Sequence, residues 1–251
     1  MDNNSLSSNI AFTSRCSQIR DAQWVCRKVR SFPHISTTYW NANVVKLAEQ
    51  NFEIYDRFMH QSQVNRYIPK DPHAIKCVKI FSWYKRLVKN ISKARREWDV
   101  GGNNSYRRVN NILGQFRYEK LGNCGEDAYL AASILKMNGV ENACVATLKA
   151  DGDVQDHVVC LFNKDGSQFD NENLKKTIII DPWLGVVDFA SNMSVKYKNL
   201  FLEKFGGLTE NSNISFQKYD DVDFSERELC FLKLSHPNLC FPTNSKKKFM
   251  Q

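Results

Sequence analysis

The stretch GNCGEDAYLAASILK, Gly122 to Lys136, decides how the chain is read. It sets a cysteine between Asn123 and Gly125, where an apolar helix begins. Cys124, Ala128, Ala131 and Leu135 follow at steps of 4, 3 and 4. A helix from Cys124 to about Asn138 therefore turns one face, the cysteine included, toward a partner layer. Inside such a helix a cysteine is a small hydrophobe. At the first turn, the positive end of the helix dipole favours a thiolate, and the glycines at 122 and 125 leave room for close approach. The small or polar neighbours GN and GE fit a reactive cysteine better than a packing one.

The pattern changes after this helix. Short apolar runs at Ala143–Leu148, His157–Phe162 and Thr177–Ile180, separated by the turn signals DGD and NKDGS, predict a small sheet. HVVCLF and TIIID are apolar on both faces, as expected of interior strands covered from two sides. A helix near Ser194–Phe205 and two more strands, Ile214–Tyr219 and Leu229–Leu234, are expected beyond, before a mobile tail NSKKKFMQ. Upstream, residues 41–60 carry apolar groups near a 3.6-residue period and predict one amphipathic helix. A second helix is expected from Asp71-Pro72 to the Gly101-Gly102 stop. GGNNSYRR reads as a linker. The expectation is an α+β chain in three regions: an N-terminal helical region over 1–108, a catalytic core over 109–192, and a C-terminal helix with strands over 193–251.

A chain of 251 residues can bury a core without staples. Its eight cysteines show no CxxC pair and no framework spacing, which points away from a disulfide scaffold or zinc ribbon and toward reduced thiols. No signal peptide is visible, nor 18 consecutive apolar residues, so the expectation is a soluble protein without a membrane span. The formal net charge is +8, and Lys85 to Arg108 holds eight Lys/Arg against Glu97 and Asp99. Such a run is either the solvated face of a helix or a contact for an anionic surface.

A nucleophilic cysteine needs a base, and the base an orienting group. Four of the five histidines, His34, His60, His73 and His236, have surface or turn readings beside prolines or at a helix end. His157 opens the apolar strand HVVCLF directly after the polar turn DGDVQD. Asp181 ends the buried strand TIII before Pro182-Trp183, where a carboxylate requires a hydrogen-bonding partner. Taken singly, Asp181 is also an ordinary Asp-Pro turn. The order Cys124, His157, Asp181 on helix, strand and strand is more specific than any member. Trp183 either walls the cleft or belongs to the core.

These residues resemble a family. Gly122-Asn123-Cys124, Ala128, Leu135, Gly139-Val140, Ala143, then Asp156-His157, then Ile180-Asp181-Pro182, are similar to the core of the transglutaminase-like, papain-like thiol enzymes. The Asn-Cys-Gly-Glu opening and Asp-Pro-Trp ending also resemble cysteine-protease-like effectors that bacteria inject into host cells. The resemblance covers roughly residues 115–190. It implies a papain-like core, a Cys-His-Asp triad with Cys124 as nucleophile, His157 as base and acid and Asp181 as orienter, and no cofactor or metal. Many transglutaminase-like cores carry an aromatic residue two places after the histidine; here that place is Val159, which weakens the case for transfer to an amine. The backbone N–H of Cys124 is one expected oxyanion donor. Gln115 resembles the upstream glutamine of papain-like enzymes, with Asn123 as competitor; Gln115 reads equally as an exposed helix residue.

The implied function is a thiol hydrolase acting on an amide of a protein, a host-cell protein by resemblance, through peptide cleavage or glutamine deamidation. The setting this implies is non-classical secretion into host cytoplasm. Transglutaminase-type acyl transfer stays open. Two other readings stand beside it: a basic nucleic-acid or lipid-binding module built on 85–108, and a zinc site using Cys124, His157 and Asp181, which lack paired ligand spacing.

Overall fold

The computed structural model describes residues 18–34, 36–61, 70–100, 104–163, 165–170, 174–204 and 211–242. The expected tail NSKKKFMQ and the Gly101-Gly102 stop lie outside them. The chain is α+β. Its centre is a five-stranded antiparallel sheet in the order β4-β3-β2-β1-β5, built from β1 (Cys144–Ala150), β2 (Asp153–Asn163), β3 (Thr177–Asp181), β4 (Val186–Phe189) and β5 (Ile214–Asp221). Asp151 and Gly152 join β1 to β2 with φ of 54° and 89°, the two left-handed residues of a tight hairpin turn that matches strand twist.

Strand alternation sends successive residues into two apolar layers. Cys160, Phe162, Ile178 and Ile180 enter one, shared with α1 (18–30), α5 (Ser105–Gly114), α6 (Cys124–Met137) and α8 (Glu226–Ser235). Val159, Leu161 and Ile179 enter the other, closed by Ala190 and Tyr197 of α7 (Ala190–Lys204). The two-sided burial expected of HVVCLF and TIIID is therefore observed, and β3 is buried along its whole length. Each of Ile178, Ile179 and Ile180, fully removed from water, contributes about 1.5–3 kcal/mol.

Helix α6 differs from its expected one-faced burial. Every residue from Glu126 to Leu135 is buried, because α1, α5 and α8 cover the sides that the sheet leaves open. The Val140–Asn142 turn then delivers the chain to β1.

Several elements fall elsewhere than expected. The 41–60 segment forms two helices, α2 (Thr37–Gln50) and α3 (Phe52–Gln61), broken at Asn51. The Asn51 side chain donates to the Leu47 carbonyl, and its own carbonyl accepts from Ile54 and Tyr55, so it ends one helix and starts the next. Helix α4 (Pro72–Val100) matches the second expected helix and is capped by Asp71 Oδ2 on the Ala74 N–H at 2.7 Å. Ser105-Tyr-Arg-Arg is no linker: Asn104 Oδ1 accepts from the Arg107 N–H at 2.8 Å and starts α5 there. The Leu229–Leu234 segment is helical, not a strand, because Ser225 and Glu228 form a capping box three residues apart and commit the following turn to α8. His157 does not open its strand; β2 begins at Asp153, as the Asp151-Gly152 turn dictates.

Candidate active site

The structure brings Cys124, His157 and Asp181 together. Cys124 is the first residue of α6, His157 lies inside β2, and Asp181 is the last residue of β3. His157 Nε2 meets Asp181 Oδ2 at 2.6 Å, with 1 % and 0 % of the two side chains exposed. Cys124 hydrogen-bonds to His157 and acts on it electrostatically.

Asp181 is held from three directions. Besides His157, Oδ2 accepts from the Tyr197 hydroxyl at 2.6 Å, and Oδ1 accepts from the Leu184 N–H at 2.9 Å. Burial alone would lower the His157 pKa; the Asp181 charge and hydrogen bond, reinforced by Cys124, override it and raise it to about 10. Asp181 thus favours the protonated form of the imidazole.

The start of α6 is fixed by its own residues and by the N-terminal region. Asn123 is extended and donates its N–H to Glu126 Oε2 at 2.8 Å. Glu126, with 0 % of its side chain exposed, is gripped by Arg95 at 2.9 and 3.3 Å, a two-pronged contact from the end of α4. The Asn123 side-chain oxygen accepts from Ser36 Oγ at 3.1 Å, and Ser36 Oγ accepts from Trp183 Nε1 at 2.8 Å. The Trp183 ring lies 5.3 Å from the His157 ring, so Trp183 is half-buried as a wall of the site. Gly122 has no room for a side chain, since an added Cβ would meet Phe116 and His34.

Gln115 is buried and not an exposed helix residue; it opens a π-helical turn, Gln115–Glu119, that continues α5. Both its amide atoms lack a hydrogen-bond partner among the described residues, an unusual state for a buried amide. π-helical turns recur at functional positions.

Residues without a sequence signal complete the site. Tyr197 grips Asp181 from α7, and Cys26 of α1 points its thiol at the Asp181 carbonyl at 3.9 Å. Burial first, then Asp181, push the Cys26 thiol up to about 11, and burial pushes Cys144 to about 11 as well. Arg30 donates to the Pro182 carbonyl at 3.0 Å and packs against Gly185. His34, expected at a surface turn, is instead mostly buried: its ring stacks on Phe116 at 4.4 Å and its Nε2 faces Asp127 at 3.1 and 3.3 Å. A Pro33-His34 turn looks solvent-facing in sequence because its partners are 80 and more residues away.

Among the described residues no group of three or more His, Cys, Asp or Glu is arranged to hold a metal ion, and no helix is long and apolar enough to cross a membrane. In comparisons with known proteins, no family model, no curated protein and no solved structure matches the chain.

Proposed function

We propose that the protein is a papain-like thiol hydrolase that acts on an amide of a protein substrate. The observation that carries this reading is the buried 2.6 Å contact of His157 with Asp181, with Cys124, at the first turn of α6, interacting with the same imidazole. In this reading Cys124 sulfur attacks the amide carbonyl carbon, the carbonyl electrons move to oxygen, and the C–N bond breaks. His157 gives its proton to the leaving nitrogen. Water, deprotonated by the now neutral His157, then attacks the thioester, and the carboxylic acid leaves while sulfur is expelled as thiolate beside the re-protonated imidazole. Asp181 keeps the ring oriented and stabilises its charged form. The backbone N–H of Cys124 and the unpartnered Gln115 amide are the candidate oxyanion donors.

Within this reading, the side-chain amide of glutamine is the favoured substrate. Cys124 is 6 % exposed and His157 1 %, so a slender primary amide reaches the sulfur more readily than an extended backbone does. The source of such a protein, by resemblance, is a bacterium that delivers it into host cytoplasm.

The test is to incubate cell lysate with the active protein and with Cys124→Ala and to compare proteins by mass spectrometry. A glutamine converted to glutamate only by the active form is the expected result. A cut chain would assign peptide hydrolysis, and incorporation of an added primary amine would assign acyl transfer. No difference between the two incubations would sink the enzyme reading.

A further inference from the structure

Helices α2, α3 and α4 form a third, smaller apolar cluster whose buried members are Val44, Cys77 and Phe81. Phe58 and Tyr55 pack their rings on Phe81 at 6.1 and 5.1 Å. Above this floor runs an open apolar groove of about 460 Å³. Its walls are Val45 and Phe52 on one side and Tyr84 and Val88 on the other, with Lys85 at the rim. Phe52 is 66 % exposed, Val45 46 % and Val88 37 %. Apolar surface gathered in one groove in this way marks a contact site more often than scattered surface residues do.

Three features of α4 define what fits. Phe81, Tyr84 and Val88 are spaced 3 and 4 apart and line the groove from one face of the helix. Lys85, Lys89, Lys93 and Arg96 recur at steps of 4, 4 and 3, are all exposed, and form a basic stripe along one edge of that face. Seven residues past Val88, about 10 Å along the axis, the same face carries Arg95, whose guanidinium grips Glu126 at the start of the cysteine helix. The helix that walls the groove is thus the one whose far end holds the start of the cysteine helix. A small ligand would be poorly enclosed by so open a channel, because small-molecule sites bury most of their ligand. A helix laid along it would have its apolar face on Phe52, Tyr84 and Val88 and would complete a four-helix packing around Phe81.

We propose that the α2–α4 groove is the docking site for an amphipathic helix of the protein substrate, apolar toward Phe52 and Val88 and acidic toward the Lys85–Arg96 stripe. This rests on the reading of Cys124 as acting on a protein. The groove selects the substrate, and α4 aligns the bound helix with the site that holds the reactive side chain.

The experiment uses the full chain carrying Cys124→Ala, so that binding is measured apart from chemistry. The probe is a fluorescein-labelled 18-residue helix with leucines at i, i+3/i+4 and i+7 and glutamates along one flank. Saturable binding is expected, with anisotropy falling as salt rises. Phe52→Asp with Val88→Asp, both at exposed positions, should weaken it more than about tenfold. Lys85→Glu with Lys89→Glu should reverse the preference, so that the same helix with lysine in place of glutamate binds better. Circular dichroism confirms that the variants stay folded. Equal binding of a scrambled peptide, tighter binding of the lysine-flanked helix to the unaltered groove, or binding only of phosphatidylglycerol vesicles would overturn the proposal. Peptide binding without any lysate modification by the active form would leave the groove standing and remove the catalytic reading.

Discussion

Two buried histidine–aspartate pairs meet the cysteine helix, and they are built differently. His157 and Asp181 sit 2.6 Å apart on adjacent strands, and Asp181 has further donors in Tyr197 and the Leu184 N–H. His34 and Asp127 sit 3.1–3.3 Å apart, and the Asp127 carboxylate has His34 as its one hydrogen-bonding partner among the described residues. His34 Nδ1 donates to the Phe32 carbonyl, so the proton shared with Asp127 lies on the Nε2 side. The first pair touches Cys124; the second touches Phe116 and the glycine before Asn123. The difference teaches that a His–Asp contact alone identifies no catalyst. What distinguishes the first pair is a thiol against the imidazole and a carboxylate held from several directions, which fixes the orientation of the ring. The second pair ties the 32–36 segment to the start of α6.

The largest expected effect comes from Asp181→Ala. It strips partners from an imidazolium, a phenol and a backbone N–H, all inside the protein, and should cost about 3–5 kcal/mol in chemical unfolding. If the proposed chemistry holds, turnover should fall on the order of 10⁴-fold, as expected when an imidazole loses its orienting acid. The pH dependence follows from the raised His157 pKa. Its stabilisation is full below about 6.5, declines as pH rises, and is lost on passing about 10, so the unfolding midpoint of the parent should fall steadily across that window. Asp181→Ala should flatten that decline. A variant that unfolds with the parent's slope would mean that the pair does not carry a proton.

A smaller and different loss is expected from His34→Ala. Asp127 would be left buried without a partner, at a cost of about 1–3 kcal/mol. The His34 pKa is raised, since the Asp127 hydrogen bond and charge overcome the opposing effect of burial, and burial raises that of Asp127 despite His34. For both groups the folded state binds protons more tightly than the unfolded one. Their contribution is therefore largest at low pH and lost as pH climbs through the raised values. Urea unfolding at about pH 6 and about pH 8 should show a larger deficit for His34→Ala at the lower pH. Turnover should stay within about tenfold of the parent. A loss equal to that of Asp181→Ala would place His34 in the chemistry and erase the distinction between the pairs.

The difference between the pairs also separates what was legible in the sequence. Cys124 and Asp181 could be found because each stands where an apolar run meets a glycine or proline, and His157 because it follows a turn into such a run. His34, Arg95 and Tyr197 stand in segments whose local pattern is ordinary; their partners Asp127, Glu126 and Asp181 lie 93, 31 and 16 residues away. No periodicity reports such contacts. Interior strands β2 and β3 declared themselves by two-sided apolarity, whereas β4 is only four half-buried residues long and left no comparable signal. The apolar run Leu229–Leu234 suited strand or helix equally, and the deciding residues, Ser225 and Glu228, were polar groups outside or at the edge of that run. In the region 18–30, Ala22, Val25, Cys26 and Val29 recur at helical spacing and bury fully or nearly so against the core of α6.

The smallest effect tests a chain of contacts that joins the two pairs. Trp183, beside His157, donates to Ser36, two residues beyond His34, and Ser36 donates to Asn123 at the head of α6. Trp183→Phe keeps an aromatic ring next to the imidazole and removes only the indole N–H, so about 0.5–1.5 kcal/mol of stability should be lost. Ser36→Ala removes that bond and the one to Asn123 and should cost more, and the double variant less than the sum, because the Trp183–Ser36 bond is lost in both. If His34 and Ser36 act together as a tie, combining His34→Ala with Trp183→Phe should also fall short of additivity in urea unfolding. Strict additivity would show that the 32–36 segment is held by His34 alone. In that case Trp183 serves the His157 side only, as a wall against which the imidazole turns.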